Sequence, residues 1–238
     1  MYDNNLSGFL PPCLANLTSL QLLDLSSNHL KIPIISMNHF QGQIPSEIEA
    51  RLPGLEVLFM SDNGFNGSIP FSLGNISSLQ AFDLSNNNLQ GQIPGWIGNM
   101  SSLEFLNLSG NNFSGRLPPR FSSSSNLRYI FLSRNKLQGP IAMAFYDSFE
   151  IFALDLSHNN LTGTIPEWIG RLSNLRFLLL SYNNLEVAQF ATFDERCYKD
   201  NPFLCGEPLP KICGAAMPPS PTPTSTNNED NSGFMDME

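Results

Sequence analysis

Asparagine recurs with a fixed step of 24 residues through most of this chain. The asparagine column consists of Asn63, Asn87, Asn111, Asn135, Asn159 and Asn183. A glycine column with the same step contains Gly67, Gly91, Gly115, Gly139 and Gly163. A fixed period of this length is typical of repeat proteins, in which each turn packs on its two neighbours and all turns share one continuous core. The period therefore predicts a solenoid.

The residues ahead of each column asparagine follow the pattern Leu-x-x-Leu-x-Leu-x-x-Asn. In the unit that ends at Asn87, Leu79, Phe82 and Leu84 alternate as a short strand that buries its apolar side chains. We expect Asn87 to turn inward, where its amide can satisfy backbone groups of adjacent turns. The pattern predicts an α/β-type repeat fold: a leucine-rich repeat solenoid, shaped as a horseshoe or superhelix, with about eight 24-residue repeats and a concave parallel β-sheet.

The repeat array and its tail divide the chain into three parts. Residues 1–186 form the predicted solenoid, which starts in mid-repeat and has an irregular junction at residues 30–37, where Pro33 falls at a strand position. Residues 187–213 contain three of the four cysteines, which predicts a cysteine-containing cap over the end of the stack. Residues 214–238 are acidic and rich in Pro, Ser and Thr, which predicts a disordered stalk. The mid-repeat start and the interrupted last repeat indicate a truncated array.

Composition and motifs exclude several classes of function. The chain has 12 Lys and Arg against 21 Asp and Glu, a net charge of -9, so it lacks the basic surface that binds nucleic acid or anionic lipid. It has neither a signal-peptide pattern at its N-terminus nor a run of about 18 apolar residues that could span a membrane. Nucleotide-binding loops, a nucleophile elbow and kinase signatures are missing. Because His29, His39 and His158 are isolated, we expect no metal, no cofactor and no enzymatic activity.

Sequons and cysteines favour an extracellular, oxidising environment. The sequence contains eight Asn-x-Ser/Thr sequons, of which Asn5 falls in the asparagine column and is expected to be buried without a glycan. The other seven are candidate N-glycosylation sites: Asn16, Asn66, Asn75, Asn99, Asn107, Asn112 and Asn160. Cys197, Cys205 and Cys213 lie together in the predicted cap, as expected for a secreted domain.

The outward positions of the last four strands form a candidate binding surface. They combine aromatic side chains with arginines, which is the composition of binding hot spots. The candidate ligand-binding residues are Phe105, Arg128, Tyr129, Phe131, Arg134, Phe152, Asp155, His158, Arg176, Phe177 and Tyr182. Strand propensity explains the aromatic residues equally well, because Phe and Tyr are common in strands. A glycan at Asn107 would obstruct the same surface.

Two kinds of segment resemble a known family. The units SSLQAFDLSNNNLQGQIPGWIGNMSS and SSLEFLNLSGNNFSGRLP resemble the plant-specific leucine-rich repeat of extracellular receptors. The segments YNNL, VAQFATF and CYKDNPFLCGEPLPKIC look like the C-terminal cap of plant leucine-rich repeat receptor-like proteins, which are kinase-less cell-surface receptors. The closing GFMDME is similar to the acidic segment before their single membrane helix. The resemblance implies a disulfide between Cys205 and Cys213 and leaves Cys13 and Cys197 unassigned.

The resemblance implies a non-enzymatic recognition module from the C-terminal part of a receptor ectodomain. Such a module binds a peptide, glycan or protein ligand on the extracellular side of the plasma membrane and signals through partner receptor kinases in defence or development. One alternative is a secreted enzyme inhibitor of the polygalacturonase-inhibitor type, which has the same repeat but no Pro-rich stalk. Another is a truncated or mis-spliced fragment without a function of its own, which the ten-residue step from Asn28 to Asn38 favours.

Overall fold

The structure is a computed structural model that describes residues 7–8, 20–24, 39–119, 121, 126–186 and 198–202. The solenoid prediction is tested within these ranges. Several predictions lie outside them: the junction at 30–37, the sites Asn5 and Asn16, all four cysteines, the stalk at 214–238 and most of the predicted cap. Only residues 198–202 of the cap are described.

The described residues form two parallel sheets that run side by side along the solenoid. The strands, numbered in chain order, are β1 (Ser7–Gly8), β2 (Leu22–Asp24), β3 (His39–Gln43), β4 (Val57–Phe59), β5 (Gly64–Gly67), β6 (Ala81–Asp83), β7 (Asn88–Gly91), β8 (Phe105–Asn107), β9 (Asn112–Gly115), β10 (Tyr129–Phe131), β11 (Lys136–Gly139), β12 (Ala153–Asp155), β13 (Asn160–Thr164), β14 (Phe177–Leu179) and β15 (Asn184–Glu186). The even-numbered strands form a seven-stranded sheet and the odd-numbered strands an eight-stranded sheet.

The seven-stranded sheet is the predicted concave sheet. Its register follows the repeat, with Leu106 opposite Ile130 and Ile130 opposite Leu154. These central side chains are buried, whereas the residues on either side of each one point outward. Leu22 pairs directly with Val57, so this turn contains more residues than the turns with the regular step. The predicted fold, a leucine-rich repeat solenoid, is confirmed.

The eight-stranded sheet is a feature that the sequence analysis did not predict. Each of its strands from β5 onward begins directly after a column asparagine, and each from β5 to β13 ends at or next to a column glycine. These glycines have positive φ, for example 80° at Gly115, which other residues rarely adopt. A Cβ at Gly115 would also lie 3.1 Å from the Cγ of Gln92 in the preceding turn. The glycine column therefore preserves the bend at the end of each strand.

Short helices lie on the convex side and close the core. One α-helix, α1 (Ile48–Arg51), and three 3-10 helices, at Phe71–Asn75, Gly95–Asn99 and Glu167–Arg171, are present in the described residues. Each 3-10 helix follows a proline, whose fixed φ suits a helix start. Leu, Ile and Phe side chains from both sheets and from the helices form one continuous buried cluster along the solenoid.

The column asparagines form a hydrogen-bonded ladder inside the stack. Asn111 is typical: its Nδ2 donates to the carbonyl oxygens of Leu84 (2.9 Å) and Leu108 (3.2 Å), and its Oδ1 accepts from the backbone N–H of Leu89 (3.0 Å). The same bonds recur from turn to turn at Asn87, Asn135, Asn159 and Asn183. Asn63 likewise accepts from the Phe40 N–H and donates to the Met60 carbonyl. Each amide thus satisfies backbone groups of neighbouring turns that would otherwise be buried without partners.

The described part of the predicted cap continues this ladder. Asn201 Nδ2 donates to the Leu180 carbonyl (3.0 Å), and Asn201 Oδ1 accepts from the Leu185 backbone N–H (3.0 Å). Tyr198 is buried, and Asp200 has a left-handed φ of 58°, like the residues that precede the column asparagines. Residues 198–202 therefore provide the hydrogen bonds of one further turn, although the asparagine column had predicted an end at Asn183.

Candidate ligand-binding surface

The outer side of the seven-stranded sheet, here called the concave face, presents its side chains in columns. The strand register places Phe105, Tyr129, Ala153 and Phe177 in one column and Asn107, Phe131, Asp155 and Leu179 in a second. A third column, one residue ahead of each strand, contains Glu56, Gln80, Glu104, Arg128, Phe152 and Arg176. A fourth column, directly ahead of the ladder asparagines, contains Asp62, Asn86, Gly110, Arg134, His158 and Tyr182, all with positive φ. Every predicted ligand-binding residue belongs to one of these columns.

Six aromatic rings are in contact along the concave face and are here called the aromatic path. The ring centroids of Phe105 and Phe131 are 5.7 Å apart, those of Tyr129 and Phe152 are 5.7 Å apart, and those of Phe152 and Phe177 are 5.5 Å apart. Phe105 also contacts Tyr129 at 6.4 Å and Phe59 at 6.3 Å. The structure therefore brings together five of the six predicted phenylalanines and tyrosines, whereas Tyr182 stacks on His158 instead. It adds Phe59, which the sequence analysis missed because it considered only the last four strands.

The aromatic path is only partly covered by its own neighbours. Phe177 is 59% exposed and Leu179 beside it is 41% exposed, whereas Phe105, Tyr129 and Phe131 are half-buried. Half-buried rings keep a fixed position in the sheet while one face stays in contact with water. Burial of these faces by a ligand would release apolar surface from water at little cost in side-chain entropy.

Cationic side chains lie on both sides of the aromatic path. Arg128 and Arg134 are exposed and belong to the turn of β10, and Arg176 is exposed in the turn of β14. Arg176 Nη1 donates to the carbonyl oxygen of Ser173 at 2.9 Å, which holds its guanidinium near the sheet. His158 stacks on Tyr182 with ring centroids 4.1 Å apart and an interplanar angle of 12°.

Asp155 and Asp83, in the second column of the concave face, accept hydrogen bonds from neighbouring polar groups. Asp155 Oδ1 accepts hydrogen bonds from the backbone N–H (2.9 Å) and the hydroxyl (2.7 Å) of Ser157. Asp83 accepts from the Ser85 N–H at 2.8 Å and from Asn107 Nδ2 at 3.2 Å. Burial raises the pKa of Asp83, although these hydrogen bonds act in the opposite direction.

Most of the described sequons lie away from the concave face. Asn75 and Asn99 are exposed at the ends of 3-10 helices on the convex side, and Asn66 and Asn160 are exposed on the eight-stranded sheet. Asn112, on the same sheet, is half-buried. Asn107 is the exception, because it lies on the concave face with its Nδ2 directed at Asp83. Glycans at the first five sites would leave the aromatic path open.

The described residues offer little for other kinds of site. Within them, no group of three or more His, Cys, Asp and Glu side chains could hold a metal ion. A cavity of about 500 Å³ lies away from the concave face, between Gln92, Gly95, Arg116 and Pro118. No helix in the described ranges has the length and apolarity to cross a membrane.

Parallel strands with a 24-residue step and an asparagine ladder define a leucine-rich repeat protein. The profile of the Leucine rich repeat family matches residues 53–113 and 125–185, and the chain belongs to this family. It is similar to Receptor-like protein 6 of Arabidopsis thaliana, with 36% identity over 67 residues. The match covers 28% of this chain and 6% of that protein, so the chain spans a small part of its relative. The resemblance to plant receptor-like proteins is confirmed.

Solved structures of plant receptor ectodomains have the same fold. The ectodomain of the receptor kinase GASSHO1/SCHENGEN3 from Arabidopsis thaliana, in complex with CASPARIAN STRIP INTEGRITY FACTOR 2, is 35% identical with a TM-score of 0.69. The alignment covers 79% of this chain and 21% of that ectodomain. The Arabidopsis receptor kinase HAESA, in complex with the peptide hormone IDA and the co-receptor SERK1, is 29% identical with a TM-score of 0.71. That alignment covers 86% of this chain and 38% of HAESA.

Proposed function

We propose that this chain is a non-enzymatic recognition segment of a plant receptor-like ectodomain and that it binds a peptide on its concave face. The observation that carries the proposal is the aromatic path, in which the partly exposed rings of Phe105, Tyr129, Phe131, Phe152 and Phe177 form a continuous series of pairwise contacts. Clustered aromatic side chains with neighbouring arginines are the residues that dominate binding free energies at protein interfaces.

The sheet supports binding because it fixes these side chains in advance. The central residue of each strand is buried, and the ladder amides connect every turn to the next. A ligand therefore meets a surface whose backbone is already ordered, which lowers the entropic cost of association. An extended peptide that lies across parallel strands can contact several columns at once.

The proposal extends to the protein's partners and location. HAESA is crystallised with a peptide hormone and a co-receptor, which supports a peptide ligand and a receptor-kinase partner for this chain. Location on the extracellular side of the plasma membrane, and a role in defence or development, rest on the similarity to receptor-like proteins. We also propose glycans at the exposed sequons, including Asn75 and Asn160, and a disulfide between Cys205 and Cys213.

Selection from a random twelve-residue peptide library tests the proposed function. Peptides enriched on the wild-type chain should bind the triple variant Tyr129→Ala/Phe131→Ala/Phe177→Ala at least tenfold more weakly than they bind the wild type. A tenfold weaker affinity corresponds to a loss of about 1.4 kcal/mol in binding free energy. Phe71→Ala is the matched control, because Phe71 is 72% exposed on the convex side. Circular dichroism confirms that each variant folds. Equal binding of the enriched peptides to the wild type and the triple variant would contradict the proposal.

A further inference from the structure

Charge on the concave face is divided into two halves along the solenoid. The turns of β4, β6 and β8 contribute acidic side chains, namely Glu56, Asp62, Asp83 and Glu104. The turns of β10 and β14 contribute the positive charges of Arg128, Arg134 and Arg176. Asp155 is the one acidic residue among the described outward positions of the second half, and its Oδ1 accepts two hydrogen bonds from Ser157, as Asp83 in the first half accepts from Ser85 and Asn107.

The aromatic path crosses the boundary between these halves. Phe59 lies among the acidic turns and Phe177 among the basic ones, with Phe105 next to the boundary. Neighbouring strands of a sheet are about 4.8 Å apart, so the five steps from β4 to β14 span about 24 Å. An extended peptide of about seven residues has this length.

We infer that the ligand is an extended peptide whose basic and acidic residues lie at opposite ends, with apolar residues between them. This inference rests on the proposed function and specifies its ligand. The basic end lies over the acidic half of the concave face, the apolar centre contacts the aromatic path, and the acidic end lies over the arginines. Complementary charges of this kind fix the register of a ligand and accelerate its association.

The local arrangement matters because the chain as a whole is acidic. With a net charge of -9 the protein repels an acidic segment at long range. Three of its 12 Lys and Arg nevertheless lie in the basic half of the concave face. A peptide with separated charges can use both halves, whereas a peptide with mixed charges at each end meets one repulsive contact for every attractive one.

Two synthetic peptides of identical composition test the inference. The first has two lysines, a Phe-Leu-Phe centre and two glutamates. The second has one lysine and one glutamate at each end of the same centre. Both carry an acetylated N-terminus and an amidated C-terminus, so that the terminal charges are removed. Binding is measured by NMR titration of the full chain. We expect the peptide with separated charges to bind about tenfold more tightly at low salt, because several exposed ion pairs each contribute a few tenths of a kcal/mol or more.

Charge-reversal variants identify the surface that makes this distinction. Arg128→Glu/Arg134→Glu should remove the difference between the peptides, while Lys136→Glu/Arg171→Glu, an equal charge change on the eight-stranded sheet and the convex side, should preserve it.

The outcomes separate the inference from the proposed function. Equal affinities of the two peptides, or no binding of either, would overturn the inference. If the wild type binds both peptides with equal affinity and Tyr129→Ala/Phe131→Ala binds both more weakly, the concave face still binds peptides and the proposed function stands. If that double variant binds both peptides as the wild type does, the proposed function fails as well.

Discussion

Replacement of one ladder asparagine, Asn135→Ala, tests how the solenoid is held together. Asn135 Oδ1 accepts from the backbone N–H of Phe113 at 3.0 Å, and both residues are buried. Asn135 Nδ2 donates to the carbonyls of Leu108, Leu132 and Ser133 at 3.0 to 3.2 Å. Alanine removes all four hydrogen bonds at once.

The magnitude follows from which of the four backbone groups keep another partner. The Leu108 carbonyl still accepts from Asn111, the Leu132 carbonyl from Asn159, and the Ser133 carbonyl from the Gly110 N–H. The Phe113 N–H is therefore the group that loses its acceptor. A buried donor without a partner costs about 1 to 3 kcal/mol, and with the lost Nδ2 bonds we expect a loss of about 2 to 4 kcal/mol in the free energy of unfolding.

Urea denaturation followed by far-UV circular dichroism measures this loss. Asn126→Ala is the control, because Asn126 is exposed and its Nδ2 makes one bond, to the Ser101 carbonyl at 3.1 Å. We expect this control to cost less than about 1 kcal/mol. If Asn135→Ala is no more destabilising than Asn126→Ala, the ladder does not hold the turns together and the reasoning is refuted.

Three further predictions concern the acidic turn, the cap and the glycans. Because burial raises the folded-state pKa of Asp83, the wild type should lose stability relative to Asp83→Asn as the pH rises through that pKa. A difference in urea midpoint between the two proteins that stays constant with pH would contradict this prediction. Asn201→Ala should destabilise the chain by about 1 to 3 kcal/mol because it leaves the buried Leu185 N–H without an acceptor, and an unchanged urea midpoint would exclude that contribution. In a glycosylating host, Asn160→Gln should reduce the mass of the protein by one glycan. Asn107→Gln should reduce the mass less, because the Nδ2 of Asn107 is hydrogen-bonded to Asp83. Equal glycan occupancy of Asn160 and Asn107 in peptide mapping would contradict this difference.

The fold could be predicted where residue spacing alone determines it. A constant period places equivalent residues in register, so the buried strand positions and the inward asparagines followed from the sequence. The eight-stranded sheet was missed because its short strands end in glycines, which give a weak strand signal. Asn201 was missed because its distance from Asn183 is not one period and Tyr198 replaces the usual leucine. The hydrogen bonds, rather than the spacing, reveal the additional turn.

The candidate surface could be predicted as a set of outward residues but not as a set of contacts. The alternation of each strand identified Tyr129, Phe131 and Phe177 as outward. It did not predict that Phe152, in a different column, contacts both Tyr129 and Phe177. That contact becomes possible because Ala153, between them in their own column, is small and leaves room for the ring. Side-chain size in a neighbouring column is visible only once the strands are placed side by side.

A glycan placed in the aromatic path is the most stringent test of peptide binding on the concave face. Phe131→Asn creates a sequon with Ser133 in the middle of the concave face, and Gln90→Ser creates one at Asn88 on the exposed side of the eight-stranded sheet. Mass spectrometry verifies that each variant carries its additional glycan. The account predicts that peptides selected on the wild-type chain no longer bind the Phe131→Asn glycoform and bind the Gln90→Ser glycoform with unchanged affinity. Unchanged binding to the Phe131→Asn glycoform would contradict it.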